Sequence, residues 1–225
     1  MSKNNDFEFY ERDGKRYDRI TACLDYFASP ELVNWKLRVG KREAGRISRE
    51  ALKIGENVDL CIRVFLDGDG DNLPKLKTQE AKNCWEAFQS WLSVYAPDVD
   101  HRKLCTIGTV FSDELCVAGT PDLEWNVHTV IDIKCSNAIR PQYWLQTEFY
   151  GRQMPCCKNK AILRLDKNLG IFEFKMMSLS DEHWAATVGA IKLYRVLAVK
   201  DGEQKEESNE CNTISNATVG ASNAT

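Results

Sequence analysis

Residues 115–135 read LCVAGTPDLEWNVHTVIDIKC, and this stretch decides the fold. It holds two short segments rich in Val, Ile, Thr and Cys, Leu115–Trp125 and His128–Cys135, divided by a turn-length break. A connection so short lets the two strands pair, which brings Asp122 of the Gly119-Thr120-Pro121-Asp122 run beside Asp132. Residues two apart in a strand share a face, so Asp132 and Lys134 project to one side while Ile133 points into the core. An acid between Ile131 and Ile133 on a central strand is expensive to leave unpaired, which separates it from an ordinary solvated strand face.

Working outward, Lys103–Phe111 reads as one strand before this pair. After it come a helix over Pro141–Met154, two strands at Lys160–Leu165 and Gly170–Met177, and a last helix over Asp181–Val199 with Ser180 as its N-cap. Toward the N-terminus, Phe7–Tyr17 is a hairpin turning at Asp13-Gly14, followed by two short helices interrupted at Ser29-Pro30. Apolar spacing predicts an amphipathic helix over Ser48–Phe65 and another over Thr78–Tyr95, closed by Ala96-Pro97. The loop between them opens like a calcium loop (Asp67, Asp69, Asp71), but Asn72 and Thr78 stand where Gly and Glu are needed, so it reads as a polar connection.

The order of elements is helices, three strands, helix, two strands, helix. That is an α+β (mixed α/β) chain, with a central mixed β-sheet flanked by helices and an N-terminal helical layer. The expected division is a hairpin and helical layer over 1–100, a core over 101–199, and a disordered acidic and polar tail over 200–225.

The chain has 225 residues, with 30 Lys+Arg against 33 Asp+Glu and a net charge of −3. The average hides a pattern: beyond residue 200 five acids face Lys205 alone, so the preceding part is slightly positive. Lys36, Arg38, Lys41, Arg42, Arg46, Arg49 and Lys53 form a basic run suited to tracking phosphates, extended by Arg140, Arg152 and Lys158, with Tyr143 and Trp144 able to stack on a base. No apolar run approaches the roughly 18 residues that span a bilayer, and the opening MSKNNDFEFYERDGKRYDR is too polar for a signal peptide. The expectation is a soluble cytoplasmic protein with no membrane partner. Nine cysteines in such a chain read as reduced core residues.

Two facing carboxylates with an ammonium alongside suit phosphodiester hydrolysis with Mg²⁺ or Mn²⁺, hard ions that prefer oxygen ligands. Zinc is disfavoured, because His101, His128 and His183 lack ligand spacing. Downstream, Gln146 and Tyr150 lie one turn apart on a single helix face.

Gly-Thr-Pro-Asp122, Asp132-Ile-Lys134 and Gln146-x-x-x-Tyr150, in that order, resemble the PD-(D/E)XK nuclease superfamily and its RecB-like exonuclease branch, phage-encoded and CRISPR-associated enzymes included. Arg19-Ile20-Thr21, Leu24-Asp25-Tyr26-Phe27, Trp35 and Ile54-Gly55-x-x-Val58 are similar to the opening of the phage nucleases, so the resemblance runs over about residues 19 to 198. It implies a restriction-endonuclease-like core, metal ligands at Asp122, Asp132 and the main-chain carbonyl of Ile133, a catalytic Lys134, and Gln146 and Tyr150 supporting the site or touching DNA. Where the branch commonly carries a histidine ligand this chain has Asp59, which the resemblance casts as a ligand in its place. The first core strand, Thr106-Ile107-Gly108-Thr109, lacks the acid many relatives have there. Cys23, Cys156, Cys157 and Cys211 do not reproduce the spacing of an iron–sulfur cluster, so none is expected. The implied function is a metal-dependent DNA exonuclease of recombination, repair or phage DNA metabolism. The alternatives are a catalytically silent DNA-binding or assembly module on the same fold, or a structure-specific endonuclease.

Overall fold

The computed structural model of the chain describes residues 9–26, 30–97 and 104–197. The 200–225 segment, expected to be a disordered tail, lies outside them. The chain opens with strands β1 (Phe9–Arg12) and β2 (Lys15–Arg19), joined where Asp13 and Gly14 both take positive φ, at 52° and 72°. Two successive left-handed residues give the turn whose twist matches a tight hairpin. Helices α1 (Ile20–Asp25) and α2 (Pro30–Val39) follow.

Helix α3 spans Lys41–Leu66, starting seven residues before the expected Ser48. Its true break from α2 is Gly40, whose φ of 83° suits glycine. The first turns carry no apolar period: Lys41, Arg42, Glu43 and Arg46 are charged and only Ala44 is buried there. Helix α4 (Gln79–Tyr95) begins as expected, with the Thr78 side chain accepting from the Ala81 N–H at 3.2 Å.

The region after residue 103 departs from expectation in an instructive way. Each of the first two expected strands is bent in two. Lys103–Phe111 becomes β3 (Leu104–Thr106) and β4 (Val110–Ser112), and Leu115–Trp125 becomes β5 (Val117–Gly119) and β6 (Leu123–Trp125). The second break falls at Thr120-Pro121-Asp122, where proline has no N–H to continue a ladder. Asp122 therefore stands in a bend immediately before β6, not within a strand. The halves enter different sheets, so the single central sheet expected is in fact two mixed sheets flanked by helices. One has the order β1-β2-β5-β4. The other has the order β3-β6-β7-β8-β9, with β7 Thr129–Lys134, β8 Asn159–Leu165 and β9 Phe172–Ser178.

Strands β7 and β8 are parallel and are joined through helix α5 (Pro141–Arg152), which packs back across both. A last helix, α6, covers 181–197, and Ser180 Oγ caps it by accepting from the His183 N–H at 3.2 Å. The five-stranded sheet is covered on both faces. On one, Val58 and Ile62 of α3 and Phe88 and Trp91 of α4 pack against Leu123, Ile131, Ala161 and Leu163. On the other, Ile20 and Leu24 of α1, Phe149 and Tyr150 of α5 and Ile191 of α6 form a cluster with Val130, joined by Val117 of the four-stranded sheet. Burial of each such side chain is worth about 1.5–3 kcal/mol, enough to fix the register of the strands between. Alternation along β7 sends Ile131 and Ile133 toward α3 and α4. It turns Val130, Asp132 and Lys134 toward α5. No helix among the described residues is long and apolar enough to cross a membrane.

Candidate active site

The antiparallel register of β6 and β7 pairs Leu123 with Ile131, so Asp122, one step before, stands across from Asp132. Asp122 Oδ2 accepts the Ile133 N–H at 2.6 Å, which fastens the bend to the neighbouring strand. Asp132 is 2% exposed. Its Oδ1 accepts from Gln146 Nε2 at 3.1 Å. Its Oδ2 forms an ion pair with Lys134 Nζ at 2.7 Å and has no well-aligned hydrogen bond among the described residues.

Gln146 is the hub between strand and helix. Its Oε1 accepts from Lys134 Nζ at 3.2 Å, and its Nε2 also donates to the Tyr150 hydroxyl at 2.9 Å. Tyr150 in turn lies against Gly119, where an added Cβ would come within 2.6 Å of Tyr150 Cε1 and 2.8 Å of Ile20 Cγ2. Glycine before the Thr-Pro-Asp bend is thus a packing requirement. Lys134 Nζ stands 5.0 Å from the centroid of the Tyr143 ring, a cation–π distance that turns Tyr143 inward to the lysine.

Electrostatics follow from burial. Desolvation, joined by the charge of Asp132, pushes the Asp122 carboxyl up to about 7, against the pull of Lys134 and the Ile133 N–H. Desolvation also raises Asp132, and Lys134 opposes it. For Lys134 burial works against the ammonium, but the two carboxylates outweigh it and hold the group above its ordinary value. Burial keeps Tyr150 far up its range, so it is a phenol that positions Gln146.

This arrangement has two facing carboxylates against one ammonium, and it fits a hard divalent ion. Asp122 and Asp132 would supply carboxylate oxygens and Ile133 a carbonyl, with water completing the shell, as such ions prefer. Among the described residues no three His, Cys, Asp or Glu side chains converge as a ready-made metal cluster. Asp59 does not complete the expected set. Its two oxygens take the Nε of Arg63, one turn along α3, at 2.9 Å each, and Arg63 Nη2 then stands 3.9 Å from Asp122 Oδ1.

The residues expected to meet DNA divide. Arg140 is the N-cap residue of α5 and Tyr143 lies in its first turn, at the site. Arg42, Arg46 and Arg49 line a shallow concavity with Val39, Gly40 and Lys41 at the start of α3. Ten to seventeen residues of helix separate them from Asp59, about 15–25 Å along the axis. Arg46 is also spent locally, held by Glu43 and Glu50 at 2.6 Å each. Sequence reasoning missed Arg63, although its i,i+4 spacing from Asp59 was visible, and missed Tyr10, whose hydroxyl reaches Thr120 Oγ1 at 3.2 Å from the hairpin. Thr109 Oγ1 meets the same Thr120 oxygen at 2.9 Å, in the position where an acid was absent.

No protein-family model and no curated protein matches the chain by sequence. Solved structures do resemble it. A protein assigned as an exonuclease from Eubacterium rectale superposes with a TM-score of 0.51 at 13% identity, over 83% of this chain and 82% of that one. LHK-Exo, an alkaline exonuclease from Laribacter hongkongensis, was solved in complex with dAMP and gives a TM-score of 0.45 at 11% identity, over 87% of this chain and 93% of its own. The likeness to the Eubacterium rectale protein is one of fold: both chains build a nuclease-like α+β scaffold.

Proposed function

We propose that this chain is a metal-dependent DNA nuclease of the PD-(D/E)XK superfamily, in its RecB-like branch, and that it works as an exonuclease in DNA recombination, repair or phage DNA metabolism. The observation that carries the reading is the facing pair Asp122 and Asp132, the first part-buried and the second buried, with the Lys134 ammonium 2.7 Å from Asp132 Oδ2.

Asp122, Asp132 and the Ile133 carbonyl would hold Mg²⁺ or Mn²⁺, which when bound polarises a phosphoryl oxygen and makes a coordinated water more acidic. The chain's own residues do the rest. The Ile133 N–H fixes Asp122 through Oδ2, which leaves Oδ1 near Arg63. Lys134, steered by Asp132 and Gln146, offers its ammonium to the charge that grows on the phosphate. Tyr150 locks Gln146, and the close fit on Gly119 locks Tyr150. Arg140 and Tyr143 at the mouth of the site, with Arg42 and Arg49 farther along α3, would track the DNA backbone, where the contribution is electrostatic and salt-sensitive. The exonuclease assignment of the Eubacterium rectale fold relative favours action from an end.

The test is incubation of the purified full chain with end-labelled linear DNA and with covalently closed circles, with Mg²⁺, Mn²⁺ or EDTA. Loss of label from linear DNA only, abolished by EDTA, is expected. Cleavage of circles would make the chain an endonuclease, and salt-sensitive binding with no cleavage in any lane would make it a silent DNA-binding module.

A further inference from the structure

The site carries a second fixed cation where a metal ligand was expected. Asp59 and Arg63 lie one turn apart on α3, and Nε donates to both oxygens of Asp59 at 2.9 Å, which fixes the plane of the guanidinium. Arg63 Nη2 stands 3.9 Å from Asp122 Oδ1, too far for a hydrogen bond and near enough for an ion pair. Lys134 Nζ stands 2.7 Å from Asp132 Oδ2 on the opposite flank. The two carboxylates therefore lie between a guanidinium and an ammonium.

Charge decides how many metal ions such a site can take. Among the groups joined here by ion pairs, Asp59, Asp122 and Asp132 against Arg63 and Lys134 leave a single net negative charge. One divalent ion reverses it to a single positive charge, which one phosphodiester neutralises. A second ion would leave an uncompensated double charge in a partly buried pocket, next to a guanidinium that repels it. A guanidinium anchored through Nε keeps its two Nη groups for other partners, and that edge suits two phosphate oxygens better than an ammonium does.

We propose that Arg63 is a phosphate-binding residue of this site, held by Asp59 beside Asp122 where a second metal ion would otherwise stand, so that one divalent ion serves the site. This rests on the nuclease reading above. Two binding experiments on the full chain test it without requiring turnover. Calorimetric titration with Mn²⁺ alone gives one ion per chain, lost in Asp122→Asn. Arg63→Gln binds that ion roughly three- to tenfold more tightly, because a repelling charge is gone; a lost ligand or a damaged fold would weaken it. A fluorescent phosphorothioate oligonucleotide, titrated with Mn²⁺ present, binds Arg63→Gln about tenfold more weakly and Arg63→Lys between the two. Two Mn²⁺ ions per wild-type chain, weaker Mn²⁺ binding by Arg63→Gln, or unchanged oligonucleotide binding by Arg63→Gln would each overturn the proposal. Absence of DNA cleavage by the wild-type chain would count against the nuclease reading, and these titrations would still decide the role of Arg63.

Discussion

Helix α5 carries two buried polar networks on opposite faces, and they are built to different standards. On the back face, Glu148 is fully buried and accepts from Lys160 Nζ at 2.5 Å, Arg152 Nε at 2.9 Å and the Ser180 N–H at 3.2 Å. Lys160 is equally buried, and its Nζ also meets His183 Nδ1 at 2.6 Å. Helix, β8 and the cap of α6 are tied there by a network that lacks nothing. On the front face Gln146 and Tyr150 hold Asp132 and Lys134, but Asp132 Oδ2 has only the poorly aligned Lys134 ammonium and desolvation drives Asp122 up beside it. A closed network specifies a structure, and an open one held rigid by the same helix is prepared for something that is not protein.

The contrast can be broken from either side. The largest effect is expected on the closed face. Glu148→Ala leaves the Lys160 ammonium buried without its partner and should cost about 3–5 kcal/mol in urea unfolding. A loss below 1 kcal/mol would mean that the network is decoration. Next comes Gly119→Ala, which drives a methyl group into Tyr150 and Ile20. About 1–3 kcal/mol of stability should go, together with much of the activity, as Tyr150 shifts and releases Gln146.

The third test runs in the opposite direction, because the open face is held at the expense of stability. Asp122 is raised from 3.8 to about 7 in the folded chain, so it contributes stability fully below 3.8 and loses it as pH rises through 7. In EDTA, Asp122→Asn should match wild type near pH 4 and exceed it by roughly 1–2 kcal/mol above pH 7, read as a rising gap in Tm. Equal Tm values across that range would remove the distinction between the two faces. The smallest effect belongs to the basic start of α3. Arg42→Ala should lower the slope of log affinity for DNA against log salt by about one, with no change in Tm.

Much of this was legible in the sequence, for reasons that the contrast explains. The facing of Asp122 and Asp132, the shared face of Asp132 and Lys134, and the pairing of Gln146 with Tyr150 follow from periods of two and of nearly four, which survive any change in surroundings. The break of each early strand was not legible. Ile107-Gly108-Thr109 and Thr120-Pro121-Asp122 lie inside β-rich runs, and only the partners on either side decide that their halves enter different sheets. The apolar period of α3 runs from Ala51 onward, so the expected start lay at Ser48, whereas the true start after Gly40 is followed by charges that carry no such period. The position of Asp59 identified a place at the site but not an occupation, since an aspartate can equally bind a metal or an arginine one turn away. The back-face network was invisible, because Glu148, Lys160 and His183 come from separate elements and no spacing links them.

The central claim is that the open face of α5 is a hydrolytic centre, and Lys134→Ala tests it most directly. Initial rates on labelled linear DNA should be compared for wild type and variant in saturating Mn²⁺, with Tm measured alongside. The account predicts a loss of roughly 10²–10³-fold in rate with Tm held within a few degrees. Equal rates for the two proteins, at equal Tm, would contradict it.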